Sequence, residues 1–329
     1  MVNGLDYSMF FSDCITGYNP HIVERIIAAY NKAMDDMPIV QLCNPNSMWN
    51  NSILLRKELS DSLVSGDVAK VGEILQNLWR NECSEHLVKY GRFDATDGAL
   101  EQRMLSDMMR WSLYSEMGWV DVNRLNTPRI GNPYGMLVMN TLVLPASPHY
   151  LRWADMAGGL LTNIVNPRVG ELGGGIGLLA YYMLRDIPNL QYTNFDLPLI
   201  LVINQFFLMH ALPSMNFRLY GEKYEMQNVA LLPSFCISSE DKHDVFLNFH
   251  SLSEMGEEVT DSYLQQIADK TKEYFLHENS GDVVHSYNET GTPRWHMPGR
   301  FKLISVHPSV WNETTYKEYL YIKEKREKV

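Results

Sequence analysis

The chain has 329 residues, of which 45% are hydrophobic and 20% charged, and its formal net charge is −11. That length suits one large or two modest domains of a globular protein. The negative charge argues against a general nucleic-acid binder and against a protein of anionic membrane surfaces, because both need a basic patch.

The four cysteines are scattered and form no CxxC pair. This distribution argues against a zinc site or a disulfide framework and favours a reducing compartment. The first residues do not read as a basic-then-apolar leader, and no apolar run reaches the roughly 18 residues of a membrane-spanning helix. We therefore expect a cytoplasmic protein.

The first third of the chain is predicted to be helical. Apolar side chains recur at steps of four, as on one face of a helix, at Ile22, Ile26, Tyr30 and Met34. Further helical patterns cover about 48–64, 67–78 and 97–116. No stretch before residue 118 alternates like a strand, so we predict an all-helical N-terminal region, residues 1–125. A dimerisation or scaffold unit and a lid over an active site fit this pattern equally, which leaves a homodimer open.

Residues 126–166 are predicted to be a connector followed by a helix. The connector is rich in Asn, Pro and Gly, and a helical pattern over about 150–164 follows it. Long irregular segments inside compact proteins are usually functional or linkers. Because this one precedes the first strand of the next region, we expect it to line the same pocket.

Residues 167–329 alternate strand-like and helical segments. The strands are predicted at about 169–172, 191–195, 216–220, 244–249, 273–276, 301–306 and 315–322. Alternation of this kind gives a mostly parallel sheet with helices on both faces. The last two strands lie so close in sequence that we expect a hairpin adding an antiparallel edge.

A glycine turn follows the first of these strands. Glu171 lies at the end of the strand, and Gly173, Gly175 and Gly177 follow at alternate positions before a helix. Glycines allow a tight turn and a close approach of a ligand to the backbone, and the helix N-terminus presents free N–H groups. Since ligands of open α/β sheets bind at this carboxyl edge, the turn predicts a nucleotide-like ligand.

Two cofactors fit this turn. The stretch Gly175–Ala180 satisfies the weaker form of the dinucleotide fingerprint, so a nicotinamide cofactor stays possible. Glu171 favours S-adenosylmethionine instead, because a carboxylate suits its cationic amino group and sits badly beside a pyrophosphate. Asp196 ends the second strand, 19 residues after Gly177, where it can accept the ribose hydroxyls of either cofactor.

An acidic residue followed by G-x-G-x-G, with a second acidic residue after strand two, resembles the class I S-adenosylmethionine-dependent methyltransferases. The resemblance covers about half the chain. It implies a Rossmann-like class I methyltransferase sheet, mostly parallel with an antiparallel last strand, over residues 167–329. The segments Phe195–Pro198 and Asn248–Met255 are similar to those of sugar O-methyltransferases from bacterial glycan and natural-product clusters. The stretches 63–79 and 129–135 look similar too.

The resemblance implies a set of cofactor contacts and a set of catalytic candidates. The cofactor set is Glu171, Gly173, Gly175, Gly177, Asp196, Leu197, Tyr220 and Asn248. A sugar hydroxyl is weakly acidic, so a general base helps, and histidine is the usual choice. The candidate bases are His250 after strand four and His277 at the end of strand five, and Glu254 and Glu278 could orient a histidine or bind acceptor hydroxyls. Each of these residues also fits a structural role.

We expect no metal, because no pair of aspartates lies at the critical edge to hold a magnesium ion. The leading hypothesis is a methyltransferase that moves a methyl group from S-adenosylmethionine to a hydroxyl of a sugar or sugar-like small metabolite, with a histidine base. Alternatives are a methyltransferase for an N or O atom of another natural product, a nicotinamide-dependent oxidoreductase, and a non-catalytic scaffold.

Overall fold

A computed structural model describes residues 6–10, 16–37, 54–84, 87, 98–114, 121–223, 227–280, 296–310 and 316–324. Within these ranges the chain forms one eight-stranded sheet, helices on both of its faces, and a separate three-stranded sheet. No helix in the described ranges is both long and apolar enough to cross a membrane.

The helices follow the predicted pattern closely. In chain order they are α1 Pro20–Asp36, α2 Lys57–Ser65, α3 Val68–Leu75, α4 Ala99–Tyr114, α5 Ser147–Leu161, α6 Leu178–Asp186, α7 Pro198–Ala211 and α8 Glu257–Lys270. Helix α1 begins where the Asn19 side chain accepts a hydrogen bond from the His21 N–H. The predicted helices at 48–64 and 97–116 lie partly outside the described residues, and their described parts form α2 and α4.

The large sheet confirms the predicted fold class. Its strands are β4 Arg168–Leu172, β5 Gln191–Asp196, β6 Phe217–Leu219, β7 Val229–Pro233, β8 His243–Phe249, β9 Thr271–Ser280, β10 Phe301–Pro308 and β11 Tyr316–Lys323. They are ordered β10-β11-β9-β8-β4-β5-β7-β6, and β11 alone runs in the direction opposite to the other strands of this sheet. The predicted antiparallel hairpin at the sheet edge is confirmed: β10 pairs with β11, and because β11 lies between β9 and β10, the edge strand is β10.

Strand β7 is absent from the predicted set of strands. The stretch predicted at 216–220 forms only the short edge strand β6, whereas β7 lies beside β5, with Phe195 opposite Leu232 and Asp196 opposite Pro233. All five residues of β7 are buried. A short apolar run without alternation cannot be told from a buried helix segment by its periodicity, and a proline ends this one.

A small sheet corrects the prediction that the N-terminal region is all-helical. Strand β1, Tyr7–Phe10, pairs with β2, Gly135–Val138, which forms a hairpin with β3, Thr141–Val143. The hairpin loop Met139–Asn140 has φ angles of 48° and 70°, the sign that a two-residue type I′ turn requires. Strand β1 is too short for alternation to be visible, and its partner lies more than 120 residues along the chain.

Helices cover the two faces of the large sheet unequally. On one face α5, α6 and α7 pack on the sheet, and α1 packs on α7, so the N-terminal helices share one apolar cluster with the sheet. On the other face α8 packs over a smaller cluster that includes Phe195, Phe246 and Phe275. The carboxyl ends of the parallel strands stay at one edge, where the candidate site lies.

Candidate active site

The glycine turn after β4 has the predicted strand–turn–helix geometry. Gly173, Gly175 and Gly177 all have positive φ angles, 79°, 55° and 94°, and α6 begins directly after them. A Cβ on Gly173 would lie 2.3 Å from Ser251 Oγ, so this residue also lacks room for a side chain. The turn thus brings backbone N–H groups to the sheet edge at the start of a helix.

Glu171 lies directly beneath this turn. Its side chain is 2% exposed, and its Oε2 accepts a 2.7 Å hydrogen bond from Tyr192 Oη. A Cβ on Gly174 would lie 2.6 Å from the same oxygen, which shows how closely the turn covers the carboxyl group. Burial raises the pKa of Glu171 to about 8, so a cation placed beside it would favour the ionised form.

Asp196 is joined to the turn by backbone hydrogen bonds. Its Oδ2 accepts from the Gly175 N–H at 2.9 Å, and its Oδ1 accepts from the Leu197 N–H at 2.7 Å. Burial raises the pKa of Asp196 to about 7, against the lowering effect of these two donors. Each carboxylate oxygen keeps a further lone pair for a ligand hydroxyl. Asn194, which the sequence analysis missed, also accepts from the Gly174 N–H.

Tyr220 follows the edge strand β6, which β7 separates from β5. Its hydroxyl donates to Asp36 Oδ2, and its ring meets the Phe235 ring edge-on at 5.5 Å. Because β7 rather than β6 neighbours β5, the segment that follows β7 begins opposite Asp196. Ser234 and Phe235 begin this segment, and the sequence reasoning missed both. The apolar run of β7 could have indicated them, because they follow its end directly.

Asn248 ties the end of β8 to the end of β4. Its side-chain nitrogen donates to the Leu172 carbonyl and to Ser251 Oγ, and its oxygen accepts from Asn279 Nδ2. All of these atoms are buried. Through these hydrogen bonds Asn248 fixes the ends of β4, β8 and β9 relative to one another beside the glycine turn.

His250 follows β8 and is held against Glu278. Its backbone has φ 75°, its N–H donates to the Glu278 carbonyl at 2.8 Å, and its Nε2 lies 2.9 Å from Glu278 Oε1. The His250 side chain is 29% exposed, whereas the Glu278 side chain is fully buried. An imidazole that is partly exposed and fixed by a buried carboxylate has the arrangement of a general base and its orienting group.

Three more side chains surround the Glu278 carboxylate. Trp153 Nε1 donates to Oε2 at 3.1 Å, Ser309 Oγ donates to Oε1 at 2.8 Å, and His149 Nε2 lies 3.5 Å from Oε1. Burial acts to raise the pKa of Glu278, but the hydrogen bonds and charges of His149 and His250 hold it well below its usual range. The carboxylate therefore stays ionised inside the protein.

His277 and Glu254 lie apart from this pair. The His277 ring is fully buried and stacks on Phe275 and Tyr319, each at 4.8 Å between centroids. Neighbouring residues of a strand point to opposite faces, so His277 faces away from Glu278. Burial lowers the pKa of His277 to about 3. Glu254 ends a short 3₁₀ helix after His250. Burial is the main cause that raises the pKa of the Tyr316 hydroxyl, and the charge of Glu254 adds to it.

Helix α5 supplies residues that sequence reasoning did not single out. His149 and Trp153 are one helical turn apart, and their rings lie 3.7 Å apart between centroids. The Trp153 ring also stacks on Phe249 and meets His250 edge-on. The sequence contained a pattern that could have identified them. A histidine and a tryptophan four residues apart lie on the same face of the helix that follows the connector.

Comparison with known proteins finds only distant similarity. No protein-family model and no curated protein sequence matches the chain. Among solved structures, the mitomycin 7-O-methyltransferase MmcR is 14% identical with a TM-score of 0.38, over 54% of this chain and 55% of MmcR. Magnesium protoporphyrin IX methyltransferase (ChlM) from Synechocystis PCC 6803 with bound SAM is 11% identical with a TM-score of 0.39, over 70% of this chain and 98% of ChlM.

A third similar structure is the glycopeptide N-methyltransferase MtfA complexed with S-adenosylmethionine, 13% identical with a TM-score of 0.36, over 52% of this chain and 87% of MtfA. The matched segment spans little more than half the length of MmcR. No family membership follows from such distant similarity. The fold itself is a Rossmann-like α/β sheet, mostly parallel with one antiparallel strand near its end.

Proposed function

We propose that this protein is an S-adenosylmethionine-dependent methyltransferase that acts on a hydroxyl group of a small molecule. The observation that carries the proposal is the His250–Glu278 pair, which lies at the same sheet edge as the glycine turn between Glu171 and Asp196. One edge thus offers a cationic-ligand site, a ribose site and a base for a hydroxyl proton.

The cofactor is assigned from the charges around the turn. Glu171 would attract the ammonium group of S-adenosylmethionine, and Asp196 would accept ribose hydroxyls while it holds the Gly175 N–H. An ionised Glu171 would repel the pyrophosphate of a dinucleotide, whereas Asp196 suits the ribose of either cofactor. Leu197 and Phe235 are the apolar side chains placed to border the adenine ring.

The chemistry follows from the His250–Glu278 geometry. With its Nε2–H donated to Glu278 Oε1, His250 has a lone pair on Nδ1 that accepts the proton of an acceptor hydroxyl. The new C–O bond forms as the C–S bond of the sulfonium breaks, which leaves S-adenosylhomocysteine. Glu278 then stabilises the imidazolium and keeps the ring in position, as the carboxylate of a triad does.

The proposed acceptor is a sugar or sugar-like metabolite, which places the protein in natural-product or glycan biosynthesis. The likeness of Phe195–Pro198 and Asn248–Met255 to sugar O-methyltransferases supports this choice. A polyhydroxylated acceptor also suits a weakly acidic hydroxyl that needs a positioned base.

Titration calorimetry with S-adenosylhomocysteine, and with NADH in parallel, tests the cofactor assignment. We expect S-adenosylhomocysteine to bind and NADH not to bind. Gly175→Val should abolish binding while circular dichroism stays unchanged, because valine at φ 55° is strained and its side chain enters the turn. Binding of NADH alone would favour an oxidoreductase, and binding of neither compound would favour a scaffold.

A further inference from the structure

The side chains of His149, His250 and Glu278 converge on one point at the carboxyl edge of the sheet. One ligand atom from each, a histidine nitrogen or a carboxylate oxygen, lies within 4.8 Å of the other two. Glu278 Oε1 lies 2.9 Å from His250 Nε2 and 3.5 Å from His149 Nε2. Donors bound about 2.1 Å from one metal ion lie roughly 3.0–3.4 Å apart in octahedral or tetrahedral geometry. The two separations measured here bracket that range.

The kinds of donor decide which ions fit. Magnesium and calcium prefer oxygen ligands alone, whereas imidazole suits zinc, iron, cobalt, nickel and copper. We propose that His149, His250 and Glu278 bind one divalent transition-metal cation, with Zn²⁺ as the reference ion. The three ligands come from three separate elements, helix α5, the end of β8 and strand β9, so the folded sheet edge assembles the site.

The surroundings of the three side chains support a metal site. Trp153 Nε1 donates to Glu278 Oε2, whereas the two histidines contact Oε1, and so it fixes the plane of the carboxylate. Hydrogen bonds of this kind orient metal ligands in proteins. His149 and Glu278 are buried, whereas His250 is 29% exposed and gives an ion its entry from solvent. A dication would also neutralise the buried negative charge of Glu278.

Metal binding has a consequence for His250 that rests on the proposed function. The Nε2 atom cannot both donate a proton to Glu278 and coordinate an ion, so the bound form carries its proton on Nδ1. That tautomer lacks the lone pair which accepts the hydroxyl proton. Zn²⁺ should therefore inhibit methyl transfer, and a chelator should restore it.

Zinc titration of the full chain tests the site directly. After treatment with a chelator, the protein is titrated calorimetrically with ZnCl₂ in the absence of S-adenosylmethionine. We expect one equivalent to bind, and His149→Asn to weaken binding at least tenfold. His296→Asn is the matched control, because His296 pairs with Asp261 at 2.9 Å on the surface and belongs to no three-ligand group among the residues that the structure describes. Equal affinity in the wild type and the His149 variant, or no stoichiometric binding, overturns the proposal.

A second measurement covers the case in which His149→Asn fails to fold, which circular dichroism would reveal. X-ray absorption of the wild-type zinc complex counts imidazole ligands, and we expect two, whereas none or one overturns the proposal. These measurements use no cofactor and no acceptor. Zinc binding by a protein that transfers no methyl group even after chelator treatment would therefore reject the proposed function alone. Methyl transfer by a protein that binds no zinc would reject this site alone.

Discussion

At the scale of single residues, His250 combines an unusual backbone with a fixed side chain. Its φ of 75° lies in the left-handed region, which histidine tolerates better than most side chains but still at a cost. In this conformation its N–H donates a hydrogen bond to the Glu278 carbonyl, and its ring is hydrogen-bonded to the Glu278 carboxylate. Strain of this kind is retained where the surroundings impose it, as at a site that must hold one imidazole in place.

His250→Gln should lower kcat about a hundredfold, while affinity for S-adenosylhomocysteine stays within about twofold. Glutamine keeps a polar side chain at this position but cannot accept a proton near neutral pH. Steady-state rates with an active hydroxylated acceptor, and calorimetry with the product cofactor, measure the two effects. His307→Gln, on the exposed part of β10, is the control. Unchanged turnover in the His250 variant would remove its role as base.

Protonation of a second histidine, His243, should affect the stability of the protein rather than its activity. His243 is 1% exposed at the start of β8, where its ring meets the rings of Phe195 and Phe246 edge-on at 5.9 and 5.6 Å between centroids. Neither ring nitrogen has a hydrogen-bond partner in the part of the chain that the structure describes. Burial, together with the charges of Arg168 and Lys272, lowers the pKa of His243 to about 3.

This lowered pKa predicts acid sensitivity with a definite sign. Between pH 6.5 and about 3 the unfolded chain binds a proton at His243 that the folded protein does not. The free energy of unfolding should therefore fall as pH is lowered through this window, by up to about 1.4 kcal/mol per pH unit. Urea unfolding measured from pH 7 to pH 4 should show that the free energy of unfolding depends less steeply on pH in His243→Leu than in the wild type. In His307→Leu it should depend on pH as steeply as in the wild type. Identical slopes in all three proteins would contradict the prediction.

At the scale of elements, the hairpin of β2 and β3 depends on a glycine at its open end. A Cβ on Gly135 would lie 2.2 Å from the Val143 carbonyl oxygen, a backbone atom that cannot turn aside. Gly159, in α5, has within 4 Å of its would-be Cβ no atom of the described residues other than its chain neighbours and the backbone of its own helix. The two glycines should therefore respond in opposite ways to the same substitution.

Gly135→Ala should lower the free energy of unfolding by about 1–3 kcal/mol, because the added methyl group forces the strands apart. Gly159→Ala should raise it by about 0.5–1 kcal/mol, since alanine loses less conformational entropy in a helix. Both changes are measured by urea unfolding at neutral pH. If both variants lose stability, the space around each glycine does not determine the effect of the alanine substitution, and the prediction is wrong.

The elements that could be predicted from sequence are those with a strong local signal. The step-of-four pattern predicted α1, and the run from Glu171 to Gly177 predicted the strand, turn and helix that hold the candidate cofactor site. Strand β7 escaped prediction because five buried residues in a row carry no periodicity. Strand β1 escaped because its partner β2 is distant in the chain, and pairing across such a distance leaves no local pattern.

The candidate site was predictable only in part for the same reason. His250 and Glu278 were singled out because both follow or end strands, and parallel strands bring such positions to one edge. Their hydrogen bond depends on the pairing of β8 with β9, which places Phe249 opposite Glu278. His149 joins them only because α5 packs across β8, and the packing of a helix on a sheet cannot be read from its own residues. His277 was the second candidate base, and strand alternation places it on the face opposite to Glu278.

At the scale of the whole molecule, the N-terminal helices and the sheet share one interior. Val23 and Ile26 of α1 belong to the same apolar cluster as Ile203 and Phe207 of α7, and all four are buried. A bidentate ion pair adds to this contact, because Arg25 donates to both carboxylate oxygens of Glu222 beyond β6, at 2.7 and 2.9 Å. Chains of this length often divide into domains that unfold separately, but a shared core opposes such a division.

Ile26→Ala tests this shared interior. Removing a fully buried isoleucine should lower the free energy of unfolding by about 2–5 kcal/mol. If α1 and the sheet unfold as one unit, this loss moves a single transition. Urea unfolding should then show coincident curves by circular dichroism and tryptophan fluorescence, and hydrogen exchange should accelerate in α1 and α7 alike.

Val64→Ala, at a position of α2 that is 67% exposed, should leave all three measurements nearly unchanged. A separate early transition, with exchange accelerated in α1 alone, would mean that the helical region unfolds independently of the sheet, and that its contact with α7 contributes little to the stability of the site.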